Sequence, residues 1–271
     1  MSNNKLECLS VSKLYEKNGN KIWALKNLNL EVKEGEFLAI VGPSGCGKST
    51  LLKLMASLER PTEGKILLDG KELRDPGPER AMVFQYFSLF PWCTVLENVE
   101  FGLKMLNVEE DERRERALHY IKLVGLEGFE DYYPRQLSGG MKQRVALARA
   151  LAVNPEVLLM DEPFGSLDAQ TRNFLQAELL KIWEEEKKTI VFVTHSIIEA
   201  VYLGDRVVLM TSRPGRVKEV FEIDIERPRD KGSSEFSRVR SEILSSLKKE
   251  VLKTISSEYS LDLKEIAEMI R

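Results

Sequence analysis

Nine consecutive residues, Gly42-Pro43-Ser44-Gly45-Cys46-Gly47-Lys48-Ser49-Thr50, fit the phosphate-loop (Walker A, P-loop) pattern G-x-x-x-x-G-K-[ST] at every fixed position. The glycines let backbone N–H groups turn inward around phosphate oxygens, and a helix opening at the same point adds the positive end of its dipole. Lys48 is placed to reach β- and γ-phosphates, and the Ser49 hydroxyl to ligate Mg²⁺. A second set of chemistry-bearing residues lies far downstream, where the apolar run Val157-Leu158-Leu159-Met160 ends in Asp161-Glu162. A strand that delivers one carboxylate suits a metal shell, and a carboxylate one residue on suits a base for an attacking water. Taken alone, Asp161-Glu162 reads equally well as the start of a helix; with the phosphate loop upstream, the catalytic reading takes precedence.

Such residues need a scaffold, and the hydrophobic pattern supplies one. Glu36 to Val41 reads as a buried strand entering the loop, and Thr50 to Met55 as the helix leaving it. Leu6 to Val11 and Leu28 to Val32 alternate as strands around a polar turn at Glu16 to Asn20. Helical spacing takes over from Leu96 to Val124, and Ser138 is placed to cap a helix over Met141 to Ala152. Thr189 to Val193 is a further buried strand, and Arg206 to Met210 and Val217 to Ile225 close the pattern around the turn Arg213-Pro214-Gly215. Apolar runs alternating with helices predict an α/β fold with a mostly parallel sheet. After a break at Pro228 to Ser234, Phe236, Val239, Ile243, Leu247, Val251 and Ile255 fall on one helical face, which predicts a packed C-terminal helix.

Composition sets the boundaries. With 271 residues, 43% of them apolar, the chain can bury one large core or two modest ones. A net charge of −3 gives no global basic surface, so nucleic acid is not an expected partner. Cys8, Cys46 and Cys93 lack CxxC spacing, which disfavours a disulfide framework or a zinc site and fits a reducing compartment. No window approaches 18 uninterrupted apolar residues and the start carries no signal core, so a cytoplasmic protein is expected, with any membrane contact made through a partner.

Taken together, the phosphate loop, Gln85 closing a strand, Leu137-Ser138-Gly139-Gly140-Met141, Leu158 to Glu162, Ser166-Leu167-Asp168 and His195 come in an order that resembles the ATP-binding subunits of ABC transporters, over about residues 5 to 225. The resemblance implies a P-loop NTPase core of ABC type with an antiparallel N-terminal β layer and an inserted helical subdomain near residues 88 to 155. Residues 1–228 would form the ATPase domain and 229–271 a C-terminal helical appendage. It also implies ATP and Mg²⁺ as cofactors, with Ser49, Gln85 and Asp161 around the metal and Glu162, His195 and Gln85 at the hydrolytic centre. Tyr15 would stack on adenine; as a bare residue it reads also as a strand aromatic of the core. Ser138, Gly139 and Gly140 would cap the γ-phosphate of a facing copy, so that two ATP molecules close a homodimer, and Asp168 would communicate across it.

Phe87 to Val99 and Thr211 to Val217 look like the importer branch serving nitrate, sulfonate, taurine or pyrimidine precursors. That implies integral-membrane permease subunits as partners, a solute-binding protein indirectly, and a place on the inner face of the membrane. Phe87, Phe90 and Trp92, if exposed, would suit a socket for a permease helix; burial in the subdomain's own core is the competing reading. A non-transport ABC ATPase of iron–sulfur assembly or ribosome type is the alternative function. The spacing from Lys48 to Ser138 leaves no room for the coiled coil of a chromosome-maintenance ATPase, and a small-molecule kinase has no use for Leu137 to Met141. Cys46, between inward N–H groups and beside Lys48, is expected to favour its thiolate.

Overall fold

The computed structural model describes residues 4–17 and 19–259, so Asn18 of the expected polar turn and residues 260–271 of the expected appendage lie outside the described residues. The chain forms two compact units, Met1–Asp75 with Val191–Arg271, and Pro76–Ile190.

In the first unit, β1 (Asn4–Lys17) and β2 (Asn20–Lys33) make a long antiparallel hairpin, considerably longer than the two short alternating runs read from sequence. Its register shifts between Cys8 and Leu14 show why: bulges break the strict alternation that marks a strand in sequence. With β4 (Glu63–Leu68) and β5 (Lys71–Glu72) the hairpin forms a four-stranded sheet in the order β2-β1-β4-β5. This is the antiparallel N-terminal layer. Beneath the phosphate loop runs β3 (Phe37–Val41), buried at every residue and parallel to β9 (Arg206–Met210), which in turn pairs antiparallel with β10 (Val217–Glu222). The chain returns to this unit within β8 (Thr189–Val193), also buried throughout, and then enters α6 (Ile197–Leu203). Helix α1 (Lys48–Met55) follows the loop.

The C-terminal helix α7 (Ser234–Tyr259) packs on α6. Phe236, Val239 and Ile243 are buried, so the predicted apolar face is a core face over its first three turns. Further along, the face rotates: Leu247 is half-buried, Val251 is exposed and the buried residue is Glu250. Ahead of the helix, the Arg229 guanidinium donates to the carbonyls of Val201, Gly204, Ile223 and Ile225. That cation takes up carbonyls left open at the end of α6, and its burial lowers its pKa to about 10.

The second unit combines a parallel pair, β6 (Arg80–Val83) with β7 (Val157–Asp161), and a helical assembly of α2 (Val95–Met105), α3 (Glu110–Leu123) and α4 (Gly139–Ala152) packed on one another. Thr94 opens α2 with a capping box to Glu97, and the acidic start of α3 is solvated as its charge pattern predicts. Helix α5 (Ala169–Glu186) completes the unit. Among the described residues, no helix is long and apolar enough to cross a membrane.

Candidate functional site

The residues singled out in sequence divide between the two units. Tyr15, the loop Gly42 to Thr50 and His195 belong to the first; Gln85, Ser138, Gly139, Gly140, Asp161, Glu162 and Asp168 belong to the second.

In the first unit, β3 brings buried backbone to Gly42, and the loop then closes over the hairpin. Gly47 has φ +101°, and a side chain there would sit 2.7 Å from Leu25 Cδ2 and 2.9 Å from the Ala24 carbonyl oxygen. Only glycine satisfies both the left-handed backbone and the close approach to β2. Gly47 puts no side chain over the start of α1, so the first-turn N–H groups are left for an anion. Lys48 is buried, and its ammonium donates to the carbonyls of Gly42 at 2.9 Å and Pro43 at 3.0 Å. Two carbonyls offset the cost of removing the cation from water and hold it against the loop that an anion would enter. Ser49 and Thr50 are half-buried behind it; Ser44 and Gly45 are exposed.

Cys46 corrects the expectation drawn from its neighbours. The residue is only 1% exposed, and burial raises its thiol pKa although Lys48, 3.8 Å away, pulls the other way. Desolvation outweighs the local positive charge, so the thiol is favoured.

Tyr15, 38% exposed near the end of β1, is no core aromatic. Its hydroxyl donates to Glu59 Oε2 at 2.6 Å and also hydrogen-bonds Thr50, which places the ring beside the first turn of α1. Burial and then the bond to Glu59 raise its pKa, while Glu59 is itself held below the usual carboxylate range by Tyr15, Lys13 and Lys53 against the opposing pull of burial. Lys13 lies 5.2 Å from the ring centre. His195 stands exposed just beyond β8. Thr194 fixes that turn: its hydroxyl donates to Glu199 at 2.6 Å and accepts the Ser196 N–H at 3.0 Å.

In the second unit, β7 is buried along its length and ends with Asp161 buried and Glu162 half-buried. Glu162 takes φ +48°, a conformation that costs a non-glycine residue about 1 kcal/mol and turns its carboxylate off the strand line. Gln85, exposed at the end of β6, donates from Nε2 to Glu162 Oε2 at 3.1 Å. That bond engages the Gln85 amide nitrogen and one oxygen of the Glu162 carboxylate.

Ser138 caps α4 as expected, accepting the Met141 N–H at 3.2 Å, and stands exposed with Gly139. Gly140 packs against Leu167: a side chain there would be 3.1 Å from Leu167 Cδ2. Asp168, next in chain, is an exposed cap of α5 whose Oδ1 accepts the N–H groups of Gln170 and Thr171. Those bonds, Thr171's first, hold its carboxyl below the usual value. Ser138 to Gly140 and Asp168 are thus brought together through Leu167.

The aromatic segment departs from expectation. Trp92 is 73% exposed, but Phe87 and Phe90 are half-buried, and Tyr86, not singled out in sequence, is fully presented to solvent. Phe90 stacks 4.3 Å from Phe101, and the Arg149 guanidinium lies 5.6 Å over its ring while donating to the carbonyls of Phe87 and Ser88. Buried Asn98 binds the other side, accepting the Phe90 N–H and donating to the carbonyls of Phe90, Cys93 and Thr94. The segment therefore borders a groove of about 300 Å³ lined by Ala81, Met82, Phe84, Phe90, Phe101 and Val153. Its aromatic lining is Phe84, Phe90 and Phe101, so of the three expected residues only Phe90 lines it.

Sequence reasoning also missed Leu25 under the loop, Glu59 behind Tyr15, and Arg149. Nothing in their local sequence marks them, since each acts on a residue distant in the chain.

Comparison with known proteins finds relatives over most of the chain. The family described as ABC transporter matches residues 25–165. An uncharacterized ABC transporter ATP-binding protein of Methanocaldococcus jannaschii is 62% identical over 251 residues, covering 93% of this chain and 94% of the relative. An aliphatic sulfonates import ATP-binding protein of Bacillus cereus is 45% identical over 234 residues, covering 86% of this chain and 92% of the relative. Two solved structures, a dimeric bacterial ABC transporter cassette and a dimeric post-hydrolysis state bound to ADP and Pi, each superpose with a TM-score of 0.75 at 41% identity, covering 80% of this chain and 98% of theirs.

Proposed function

The chain belongs to the ABC transporter family of ATP-binding proteins and is an ATPase that splits ATP into ADP and phosphate, and from that premise we propose that it powers solute uptake through membrane permease subunits. The solute class suggested by the Bacillus relative is a small organic anion of sulfonate type. The observation that carries the transport reading is the 300 Å³ groove lined by Phe90, whose ring lies 5.8 Å from that of exposed Trp92: a largely apolar recess flanked by an exposed aromatic suits one helix of another protein.

Within the cycle, Lys48 and the loop N–H groups grip the phosphates, and Tyr15 offers its ring to adenine. Glu162, oriented by Gln85, takes the proton of the attacking water, and His195 contacts the γ-phosphate. Ser138, Gly139 and Gly140 cap the γ-phosphate held by a second copy, which makes the ATP-bound state a homodimer and gives Asp168 a place at that contact.

Mg²⁺ fits the donor set. The Ser49 hydroxyl, the Asp161 carboxylate and the Gln85 amide are hard oxygen donors. The described residues contain no cage of three or more His, Cys, Asp or Glu side chains, and Mg²⁺ prefers one carboxylate with waters and substrate phosphates. When bound, it neutralises charge developing on the phosphates.

Residues 1–228 are proposed as the ATPase domain with its helical subdomain near 88–155, and 229–271 as the appendage. The protein would work at the inner membrane face through its permease, with a solute-binding protein acting indirectly.

The test is to search the neighbouring reading frames for a permease and to co-express the chain with it. Wild type should co-purify in stoichiometric amount, and Trp92→Glu should lose the permease while binding ATP as before. If Trp92→Glu retains the permease in full, the groove is not the docking site; if wild type never binds a permease, a non-transport role replaces this one.

A further inference from the structure

The turn after β9, Thr211-Ser212-Arg213-Pro214-Gly215-Arg216, has no part in the ATP chemistry above, yet it is built against the phosphate loop. Gly215 is buried; its N–H donates to the Ala24 carbonyl at 2.9 Å and its carbonyl accepts the Lys26 N–H at 3.2 Å. A side chain at Gly215 would overlap the Cys46 carbonyl and stand 3.0 Å from Leu25 Cδ2, the atom that also meets Gly47. The turn and β2 together form the floor of the loop. From that floor the exposed Arg213 reaches out, and its Nε–H donates to the Gly45 carbonyl oxygen at 3.2 Å.

We propose that Arg213 is a positioning residue for ATP: by holding the Gly45 carbonyl it aims the N–H of the same peptide unit, that of Cys46, into the phosphate cradle. The inference rests on the loop's being the ATP site. A trans peptide points its C=O and N–H in opposite directions, so fixing the first fixes the second. In this structure the Cys46 N–H meets the Pro43 carbonyl at 3.3 Å, a long bond that an anionic oxygen can replace. A cation on the carbonyl also polarises the peptide, which strengthens its N–H as a donor.

The turn has a second support. Thr211 Oγ1 donates to the Pro214 carbonyl at 3.1 Å and accepts the Arg216 N–H at 3.0 Å, which closes the turn on itself. Glu250 of α7, 3% exposed, accepts the Ser212 N–H at 3.4 Å and pairs with Lys218 at 3.1 Å. The C-terminal helix therefore bears on the residue adjacent to Arg213, and through it on the loop.

The experiment measures Mg-ATP affinity of the full chain with Arg213→Ala, Arg213→Gln and, as a control, Lys48→Ala. Losing one charge-assisted hydrogen bond that acts on the phosphates should raise the ATP Kd of Arg213→Ala about three- to tenfold. The maximal hydrolysis rate at saturating ATP should change less than twofold. Arg213→Gln, which keeps a donor at the end of a long side chain, should recover most of the affinity. A merely structural role would lower Tm while leaving the Kd of the folded protein at the wild-type value, and that result overturns the proposal. An affinity loss that Gln does not repair, and that vanishes in high salt, would mean long-range attraction by the charge and overturns it as well. Should Lys48→Ala bind ATP as wild type does, the loop reading itself fails, whatever Arg213 does.

Discussion

In the first unit, the phosphate loop rests on packed atoms: Leu25 and Ala24 under Gly47, Gly215 against Cys46, and two carbonyls around the Lys48 ammonium. In the second unit, the residues assigned to hydrolysis and capping stand at or near the surface, with Gln85, Ser138, Gly139 and Asp168 exposed, and Glu162 half-buried on a strained backbone. Ser138 and Asp168 cap helices, and Gln85 meets Glu162 in an amide–carboxylate contact. The contrast teaches that the phosphate loop is held by packing inside its own unit, whereas the groups of the second unit are presented to solvent on helix caps and a turned strand end. Binding should therefore survive changes that abolish turnover.

Glu162→Gln puts that separation under the greatest strain. The substitution keeps shape and the bond to Gln85 but removes the base, so hydrolysis should fall by about 10² to 10⁴. ATP affinity should stay at the wild-type value, and the protein should run as an ATP-bound dimer in size-exclusion chromatography. Adding Ser138→Arg places a bulky cation on the exposed cap and should return the variant to monomer without weakening its own ATP site. Wild-type turnover by Glu162→Gln, or persistence of the dimer in the double variant, would break the proposed division of labour.

The next largest effect falls on the finished half. Phe236 of α7 is 1% exposed, and Phe236→Ala should cost about 3–5 kcal/mol of stability, seen as a lower urea midpoint. The helix would then count as part of the first unit's core, and deletion after Arg229 should yield a poorly soluble chain, not a trimmed one. A deletion variant as stable as wild type would show that α7 merely rests on the surface.

Much of the loop was legible because its chemistry is local. Gly42, Gly47, Lys48 and Ser49 must stand at fixed spacing for backbone groups to face a phosphate, and Ser138 announces its helix three residues before the N–H it caps. Residues that act across the chain left no such mark. Arg213 meets Gly45 from 168 positions away, and Arg229 finds its carbonyls only after α6 and β10 have folded. The helical period predicted the buried face of α7 through Ile243 but assigned Val251 where Glu250 is buried, because an ion pair with Lys218 overrode the apolar stripe. Exposure was the weakest reading: Phe87 and Phe90 are partly covered by Arg149 and Asn98 contacts that no local pattern foretells.

Cys46 gives a smaller test of how closed the finished half is. A raised thiol pKa means that less thiolate is present at neutral pH than for a free cysteine, and access is poor as well. At pH 7 a maleimide should label half-buried Cys93 at least about tenfold faster than Cys46, as read from peptide masses over time. Cys46 labelling should accelerate as pH rises past the usual thiol range. Labelling of Cys46 as fast as Cys93 would mean that the loop opens readily, and the contrast between the units would weaken.

Glu250→Gln carries the smallest effect and asks whether the C-terminal helix reinforces the loop's floor. Burial works to raise the Glu250 pKa, but the bonds from Lys253, Lys218 and the Ser212 N–H prevail and hold it below the usual carboxylate value. A group whose folded pKa is depressed stabilises the fold above its unfolded pKa, and that stabilisation is lost as pH falls through the folded value. Glu250→Gln should therefore be less stable than wild type by about 1–2 kcal/mol at pH 7, where the carboxylate is charged and its lysine partners lose an anion. As pH falls through the depressed folded pKa the two proteins should converge, since protonation gives wild type the same uncharged side chain. Melting temperatures of both proteins measured from pH 7 downward provide the check. A gap that persists unchanged into acid would assign the loss to altered packing and not to the carboxylate. No gap at pH 7 would remove Glu250 from the support of the 211–216 turn and leave Arg213 and Gly215 as its link to the phosphate loop.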